Sequence, residues 1–124
     1  MVRIATRLVD AAYLLLRVVS GLLFAEHGLQ LTFGLLGGTR MPLFSLLGLA
    51  GVIELVAGLM VAFGVFPRWA AFLASGEMAF AYFIAHAPKG FWPVQNLGEL
   101  SVLYCFIFLF IAARGGGKAT LLGD

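Results

Sequence analysis

Long apolar runs separated by short polar turns dominate the hydrophobic pattern of this 124-residue sequence. An apolar helix of roughly 17–25 residues is long enough to cross the hydrocarbon core of a bilayer, and four runs reach that length. We therefore predict four membrane spans, at residues 9–33, 43–66, 67–87 and 96–113. Because short turns place consecutive helices side by side, the predicted fold is all-α. It is a four-transmembrane-helix, up-down-up-down bundle that forms a single domain over residues 1–124.

Glycine and proline mark the ends of these runs. The first run ends at the turn Gly37-Gly38-Thr39-Arg40-Met41-Pro42. The second stops at Pro67, which suits the first position of the next helix because its missing amide hydrogen would be unpaired there. The first run continues past residue 30 without a small-x-small cleavage site. We therefore interpret it as a retained signal-anchor and not as a cleaved signal peptide.

The basic residues are divided unequally between the two ends of the predicted bundle. The bases at one end are Arg3, Arg7, Arg68, Arg114 and Lys118. The other end carries Arg40 and Lys89. Lysine and arginine are concentrated in cytoplasmic loops of membrane proteins. Both termini are therefore predicted to be cytoplasmic, in a multi-pass protein of the cell membrane.

The composition excludes several other classes of protein. The chain is 62% hydrophobic and 11% charged, whereas soluble domains are roughly 45–50% apolar and about 25% charged. The apolar surplus must face lipid or other chains. The net charge of +2 forms no basic stripe, so nucleic-acid binding is not expected. A single cysteine, Cys105, cannot form an intramolecular disulfide or a CxxC redox pair.

Three intramembrane charges lie on helix faces rich in small residues. Arg17, Glu54 and Glu77 occupy such faces in the first, second and third spans. The small residues of these faces are Gly21, Ala25 and Gly28; Gly51, Gly58 and Ala62; and Ala70, Ala74, Ala81 and Ala85. Small residues mark helix–helix contacts in lipid. Counting the helical rise from Arg7 and Arg68 gives Arg17 and Glu77 similar depths, so we predict an ion pair of Arg17 with Glu77 or Glu54.

Further polar residues gather towards the end of the bundle opposite the termini. They are Glu26, His27, Gln30, His86, Gln95, Asn96 and Glu99, and with Glu54 they predict a polar funnel. No catalytic residue can be assigned. The candidates for ligand binding or proton handling are Arg17, His27, Glu54, Glu77, His86 and Glu99. The same charges can instead form a packing network that fixes helix register. A metal site is not predicted, because the Glu-x-x-His pairs of di-metal bundles do not occur.

Three segments of the sequence resemble a known protein family. They are residues 17–28, which read R-x3-G-x5-HG; residues 51–58, which read GVIELVAG; and residues 86–100, which contain HAPKGFWP followed by NLGEL. In these segments the sequence resembles the DoxX family of small four-helix membrane proteins. Members of this family are similar to subunits of thiosulfate:quinone oxidoreductase and to membrane components linked to redox defence. The resemblance therefore implies that this protein is associated with an oxidoreductase in the membrane.

The resemblance implies a DoxX-like membrane subunit that interacts with quinone and depends on a protein partner for electrons. The partner is needed because the sequence has no redox thiol pair and no dinucleotide fingerprint. Whether the chain is itself an enzyme stays open, and quinone is the one cofactor indicated. Two alternatives also remain: a non-catalytic scaffold that docks redox proteins, and a small-solute carrier lined by paired charges. The expected partners are lipid and a redox protein, and a homo-oligomer is compatible with the sequence.

Overall fold

The protein is all-α in the computed structural model, which describes residues 2–124. Its helices are α1 (Val2–Phe33), α2 (Leu46–Phe63), α3 (Pro67–Ala81), α4 (Pro93–Asn96) and α5 (Glu99–Arg114). Between α3 and α4 the chain continues as a π-helical turn at Tyr82–His86 and a 3₁₀ turn at Ala87–Lys89. No strand occurs within residues 2–124, so the predicted all-α class is confirmed.

Three helical stretches are long and apolar enough to cross a membrane: Val2–Phe33, Leu46–Phe63 and Pro67–Lys89. The fourth predicted span corresponds to α5, which has only 16 residues. It is shorter than the predicted 96–113 because Leu97 adopts a left-handed conformation, with φ 64°, and separates the single turn of α4 from α5. Four apolar helices therefore occur at the predicted places. That the chain crosses the membrane four times stays a prediction.

Local capping explains why α2 is shorter than its predicted span. The Ser45 hydroxyl accepts a hydrogen bond from the Gly48 amide at 3.1 Å, so the helix begins after Ser45. Gly64 adopts a left-handed conformation with φ 73° and ends the helix, as glycine commonly does at this position. Pro67 then occupies the first turn of α3, as its missing amide hydrogen predicts.

The predicted small-residue faces bring α1 and α2 together. A Cβ atom added to Gly21 would lie 2.6 Å from the Gly58 carbonyl oxygen, and one added to Gly58 would lie 2.6 Å from the Gly21 carbonyl oxygen. Contact this close is possible only without side chains, as is typical of helix pairs in membranes. On α3, Ala70 and Ala74 are buried as predicted, whereas Ala85 lies beyond α3 in the π-helical turn and is exposed. The small-residue faces are therefore confirmed except beyond the end of α3.

The helices pack as two pairs. α1 lies chiefly against α2, and α3 chiefly against α5, while α2 and α3 join the pairs. α1 and α5 meet through aromatic side chains, such as Phe24 and Phe108, whose ring centroids are 4.8 Å apart. The largest fully buried side chains are Phe24, Phe108, Ile111, Val61, Asn96 and Pro67. Because the pairs touch along limited surfaces, space is left between them near the end opposite the termini.

Residues 115–124 fold back across the α2–α3 turn, an arrangement that the hydrophobic pattern does not predict. The Gly64 carbonyl oxygen accepts hydrogen bonds from the amides of Leu121 at 3.0 Å and Leu122 at 3.1 Å. The Leu122 carbonyl oxygen in turn accepts from the Phe66 amide at 2.7 Å. Arg68 completes the contact through an ion pair with Asp124 at 3.0 Å. This end segment therefore closes one end of the bundle.

Candidate functional site

A cavity of about 320 Å³ opens between the two helix pairs, and polar side chains from four parts of the chain line it. We call it the central cavity. Its polar lining consists of His27, Glu54, His86, Ser101 and Tyr104. Phe24, Leu47, Met78 and Leu100 contribute apolar lining. Of the six candidate residues predicted from sequence, the cavity brings three together: His27 from α1, Glu54 from α2 and His86 from the π-helical turn.

Glu54 supplies the carboxylate of the central cavity. The residue is 6% exposed, and its Oε2 has no hydrogen-bond partner within the described chain. The neighbouring Gly51, Ala57 and Gly58 are buried on α2. A buried polar atom without a partner is unfavourable, so a ligand that hydrogen-bonds to the Glu54 carboxylate would offset this cost.

Glu77 lies beside the central cavity and not inside it. It lines a separate cleft of about 270 Å³ between α2 and α3, which we call the α2–α3 cleft. The remaining lining is apolar and includes Leu46, Ala50, Ile53, Phe80 and Ile84. Leu47, Ala81 and Ala85 border both spaces. Glu77 Oε2, like Glu54 Oε2, is buried without a hydrogen-bond partner in the part of the chain that the structure describes.

A second cleft flanks the central cavity on the opposite side. This α1–α5 cleft has a volume of about 210 Å³, and its lining includes Leu16, Val19, Leu23, Leu103 and Ile107. Leu100 and Tyr104 border both this cleft and the central cavity. The exposed side chains of Val19, Leu23 and Leu103 place the cleft at the lipid-facing surface. The central cavity is therefore flanked by apolar clefts on two sides.

His86 is held at the cavity by the segment that follows it. Its Nδ1 lies 3.1 Å from the Asn96 carbonyl oxygen. The Asn96 amide group donates to the Tyr82 hydroxyl at 3.0 Å and to the Gly90 carbonyl oxygen at 2.9 Å. Its Oδ1 accepts from the Gly98 amide at 2.8 Å. Asn96 is 0% exposed and fixes the connection between α3 and α5.

Sequence reasoning placed Asn96 in the polar funnel but missed its organising role. The available signal was its place in the NLGEL motif at residues 96–100, where an asparagine two residues before a glycine favours a side-chain turn. A second residue that was missed is Tyr104, whose ring lies edge-on to the His27 ring with 6.2 Å between centroids. A tyrosine within an apolar helix gives no signal of its own that distinguishes a cavity from a core position.

The predicted ion pair of Arg17 with Glu77 or Glu54 is wrong. Arg17 is 2% exposed and donates to the carbonyl oxygens of Gly116 at 2.5 Å and Ala62 at 3.3 Å. None of the ion pairs found within residues 2–124 involves Arg17. Its guanidinium therefore neutralises backbone carbonyl dipoles at the closed end of the bundle.

The error came from the depth assigned to the first helix. Residues 2–9 of α1 are exposed and project beyond the bundle, whereas Arg68 bonds to the Ala112 carbonyl oxygen at 2.9 Å within it. Arg7 and Arg68 are therefore poor markers of one common depth. Arg17 lies near the start of α3, and Glu77, ten residues after Pro67, lies about 15 Å further along that helix.

Glu99 also lies outside the cavity. It is exposed in the first turn of α5, where a carboxylate interacts favourably with the helix dipole. Glu26 is likewise exposed. Across residues 2–124, no group of three His, Cys, Asp or Glu side chains is arranged to hold a metal ion.

Comparison with known proteins identifies the family. The DoxX family model matches residues 12–87, which is more than half of the chain. This chain belongs to the DoxX family. An uncharacterized protein of Haemophilus influenzae is 41% identical over 113 residues, which cover 86% of this DoxX protein and 84% of that relative. No solved structure matches this chain. The range matched by the family model includes His27, Glu54, Glu77 and His86, whereas Asn96 and Tyr104 lie beyond that range.

Proposed function

We propose that this DoxX-family protein is the quinone-interacting membrane subunit of an oxidoreductase system and that a protein partner supplies its electrons. The observation that carries the proposal is the central cavity. There Glu54 Oε2 has no hydrogen-bond partner within the described chain, and two histidines line the same space. A quinone needs hydrogen-bonding groups for its carbonyls and an apolar surface for the rest of the molecule. Both are present here.

The residues of the central cavity fit such a ligand. His27 and Tyr104 can donate hydrogen bonds to carbonyl oxygens. The Nδ1–H of His86 is directed to the Asn96 carbonyl oxygen, which leaves Nε2 of the neutral ring as an acceptor, and Glu54 can also accept a hydrogen bond from a hydroxyl group of the reduced form. Reduction of a quinone takes up two electrons and two protons. The partner would supply the electrons, and the imidazole and carboxyl groups can supply the protons at the ring oxygens. The α1–α5 cleft provides apolar surface for a side chain that continues into lipid.

The volume of the cavity is also suitable. Small-molecule pockets in proteins occupy roughly 300–1,000 Å³ and combine apolar walls with a few polar groups. The central cavity has a volume of about 320 Å³ and fits this description. It is large enough for a single ring.

We further propose that the chain crosses the cell membrane four times with both termini in the cytoplasm. The 16 residues of α5 span about 24 Å at 1.5 Å per residue, which approaches the thickness of the hydrocarbon core. Charge supports the orientation, because Arg114 and Lys118 both contact Asp10 of α1, at 3.7 Å and 2.9 Å. The bases of α5 and of the end segment therefore lie at the end of α1 that carries Arg3 and Arg7, as expected for the cytoplasmic side.

The test of the quinone proposal is direct binding. The purified protein in lipid nanodiscs is extracted for mass spectrometry of co-purified quinones and is then titrated with decylubiquinol, the reduced form whose hydroxyl groups can donate to Glu54. We expect saturable binding that weakens about tenfold in Glu54→Gln, the loss of one charge-assisted hydrogen bond. Glu26→Gln is the matched control, because Glu26 is exposed on α1 and lines none of the three spaces described here. No quinone in the extract together with no saturable titration would contradict the proposal.

The same variants separate the alternatives. If Glu54→Gln lowers only the unfolding temperature while the redox activity of the partner system persists, the protein is a scaffold. The scaffold alternative has support in Arg17, whose Nη1 and Nη2 donate to backbone carbonyls of two other segments. If Glu54→Gln abolishes solute uptake into proteoliposomes, the protein is a small-solute carrier.

A further inference from the structure

The α2–α3 cleft combines apolar walls with one carboxylate, and the proposed quinone site does not use it. Glu77 Oε2 is buried at this cleft without a hydrogen-bond partner in the described chain. At the rim, Phe80 is 56% exposed and Ile84 is 48% exposed. In a membrane-spanning region such apolar side chains contact acyl chains. The cleft therefore opens towards lipid.

The chemistry of this cleft selects a ligand with two contrasting parts. A carboxylate that lines the cleft and has an oxygen without a hydrogen-bond partner favours a group that brings both an N–H donor and a positive charge, since charge-assisted hydrogen bonds are strong in apolar surroundings. An unpaired charge within a membrane is unfavourable, so a cation at Glu77 would relieve that cost. The rest of the cleft offers only apolar contact through residues such as Ala50, Ile53 and Phe80. The remainder of the ligand must therefore be apolar.

Other cations fit this lining less well. An inorganic cation such as Mg²⁺ or Ca²⁺ needs several oxygen ligands, and Glu77 is the one ionisable residue among the described residues that line the cleft. A quaternary ammonium carries no N–H and is typically held by a cage of aromatic faces. Of the described lining residues, only Phe80 is aromatic. A protonated primary or secondary amine satisfies both the acceptor and the apolar walls.

We propose that the α2–α3 cleft binds lipophilic primary or secondary amines from the bilayer, with the ammonium group on Glu77 and the apolar part against α2 and α3. The volume of about 270 Å³ accommodates the ammonium group and the adjoining carbons, and the rest of the chain lies in lipid. Leu47, Ala81 and Ala85 separate this site from the central cavity. The proposal therefore does not rest on quinone binding.

The fluorescent amine dansylcadaverine provides the test. The whole protein is placed in phosphatidylcholine nanodiscs, whose neutral headgroups do not concentrate cations as anionic lipids do. We expect saturable, blue-shifted emission above that of protein-free nanodiscs. The Kd should weaken about tenfold or more in Glu77→Gln, the effect of losing a charge-assisted hydrogen bond. Glu26→Gln is the matched control and should keep the wild-type Kd.

Two further measurements keep the test decisive. N-pentyl dansylamide has the same fluorophore and chain without the terminal amine, so it should show no saturable binding. Ala50→Leu fills the cleft while Glu77 stays in place, so it should weaken dansylcadaverine binding. This variant provides the test if Glu77→Gln does not fold.

Three outcomes would overturn the amine proposal. They are an unchanged Kd in folded Glu77→Gln, an unchanged Kd in Ala50→Leu, and saturable binding of N-pentyl dansylamide. Decylubiquinol titration of Glu54→Gln is measured separately. Failure of the quinone proposal can therefore be distinguished from failure of the amine proposal.

Discussion

Arg17 in the first helix donates a hydrogen bond to the carbonyl oxygen of Gly116 across 2.5 Å. The two residues lie at opposite ends of the chain, and Tyr13 makes a parallel contact from its hydroxyl to the Gly115 carbonyl oxygen. Arg17 also reaches the Ala62 carbonyl oxygen at 3.3 Å. A single buried guanidinium thus joins α1, the end of α2 and the end segment. Arg17 therefore holds the closed end of the bundle together through hydrogen bonds to backbone carbonyls.

Replacement of Arg17 by methionine should destabilise the fold. Arg17→Met leaves the Gly116 and Ala62 carbonyl oxygens without this donor, and we expect a loss of about 2–3 kcal/mol in the free energy of unfolding. The end segment should also loosen, so trypsin should cleave faster after Lys118, whose side chain is 82% exposed. The measurements are the unfolding temperature in nanodiscs and the rate of tryptic cleavage.

The stability losses of Arg17→Met and Glu77→Met should add. A coupling above about 1 kcal/mol between them would restore the rejected ion pair.

Two helical glycines should respond in opposite directions to alanine. Gly21→Ala would place a methyl group 2.6 Å from the Gly58 carbonyl oxygen, and such overpacking costs about 1–3 kcal/mol. Gly76→Ala is the matched control, since a Cβ there meets nothing within 4 Å. Alanine should stabilise that helix by up to about 1 kcal/mol. Thermal unfolding of both variants checks this pair, and a stable Gly21→Ala protein would argue against the close contact of α1 and α2.

Asn96 should control the order of the segment from Tyr82 to Gly98. Asn96→Ala removes side-chain hydrogen bonds to Tyr82, Gly90 and Gly98. We expect a loss of about 2–4 kcal/mol, because buried polar partners are left unpaired. Hydrogen exchange should accelerate in this segment and not in α1. Gln95→Ala is the control, since Gln95 is exposed. Equal exchange rates in the two variants would show that Asn96 does not hold the segment.

The attachment of Asp124 should depend on pH. A hydrogen bond from the Gly116 amide, together with Arg68, lowers the pKa of the Asp124 carboxyl below its usual 3.8. A lowered folded-state pKa contributes stability that is present above the unfolded-state pKa and is lost as the pH falls through the folded-state pKa. Protection of the Gly116 amide from hydrogen exchange should therefore persist at neutral pH and fall at acidic pH below 3.8. Asp124→Asn should lack this acidic transition, and an identical transition in that variant would assign it to another group.

Local features of the sequence predicted most of the helical framework. Hydrophobic run length located the helices, Pro67 marked the start of α3, and the glycines at 21 and 58 marked the α1–α2 contact. The polar funnel also brought His27, Glu54 and His86 to one cavity. These predictions succeed because helical periodicity and helix stop signals act over a few residues.

Contacts between distant parts of the chain were not predictable in the same way. The depth of Arg17 depends on how far α1 projects beyond the bundle, which hydropathy does not encode. The partners of Arg17 are backbone carbonyls, and every residue offers one. The clefts arise from the splay between helix pairs, so Glu54 and Glu77 fall into separate spaces although both lie on small-residue faces.

Photolabelling with an azido-quinone in nanodiscs, followed by mass-spectrometric mapping of the adducts, tests most directly whether the central cavity binds quinone. We expect adducts on residues of the central cavity, such as Tyr104 and His86, with labelling reduced by excess decylubiquinone. Labelling confined to the lipid-facing surface and unaffected by decylubiquinone would contradict quinone binding in the cavity.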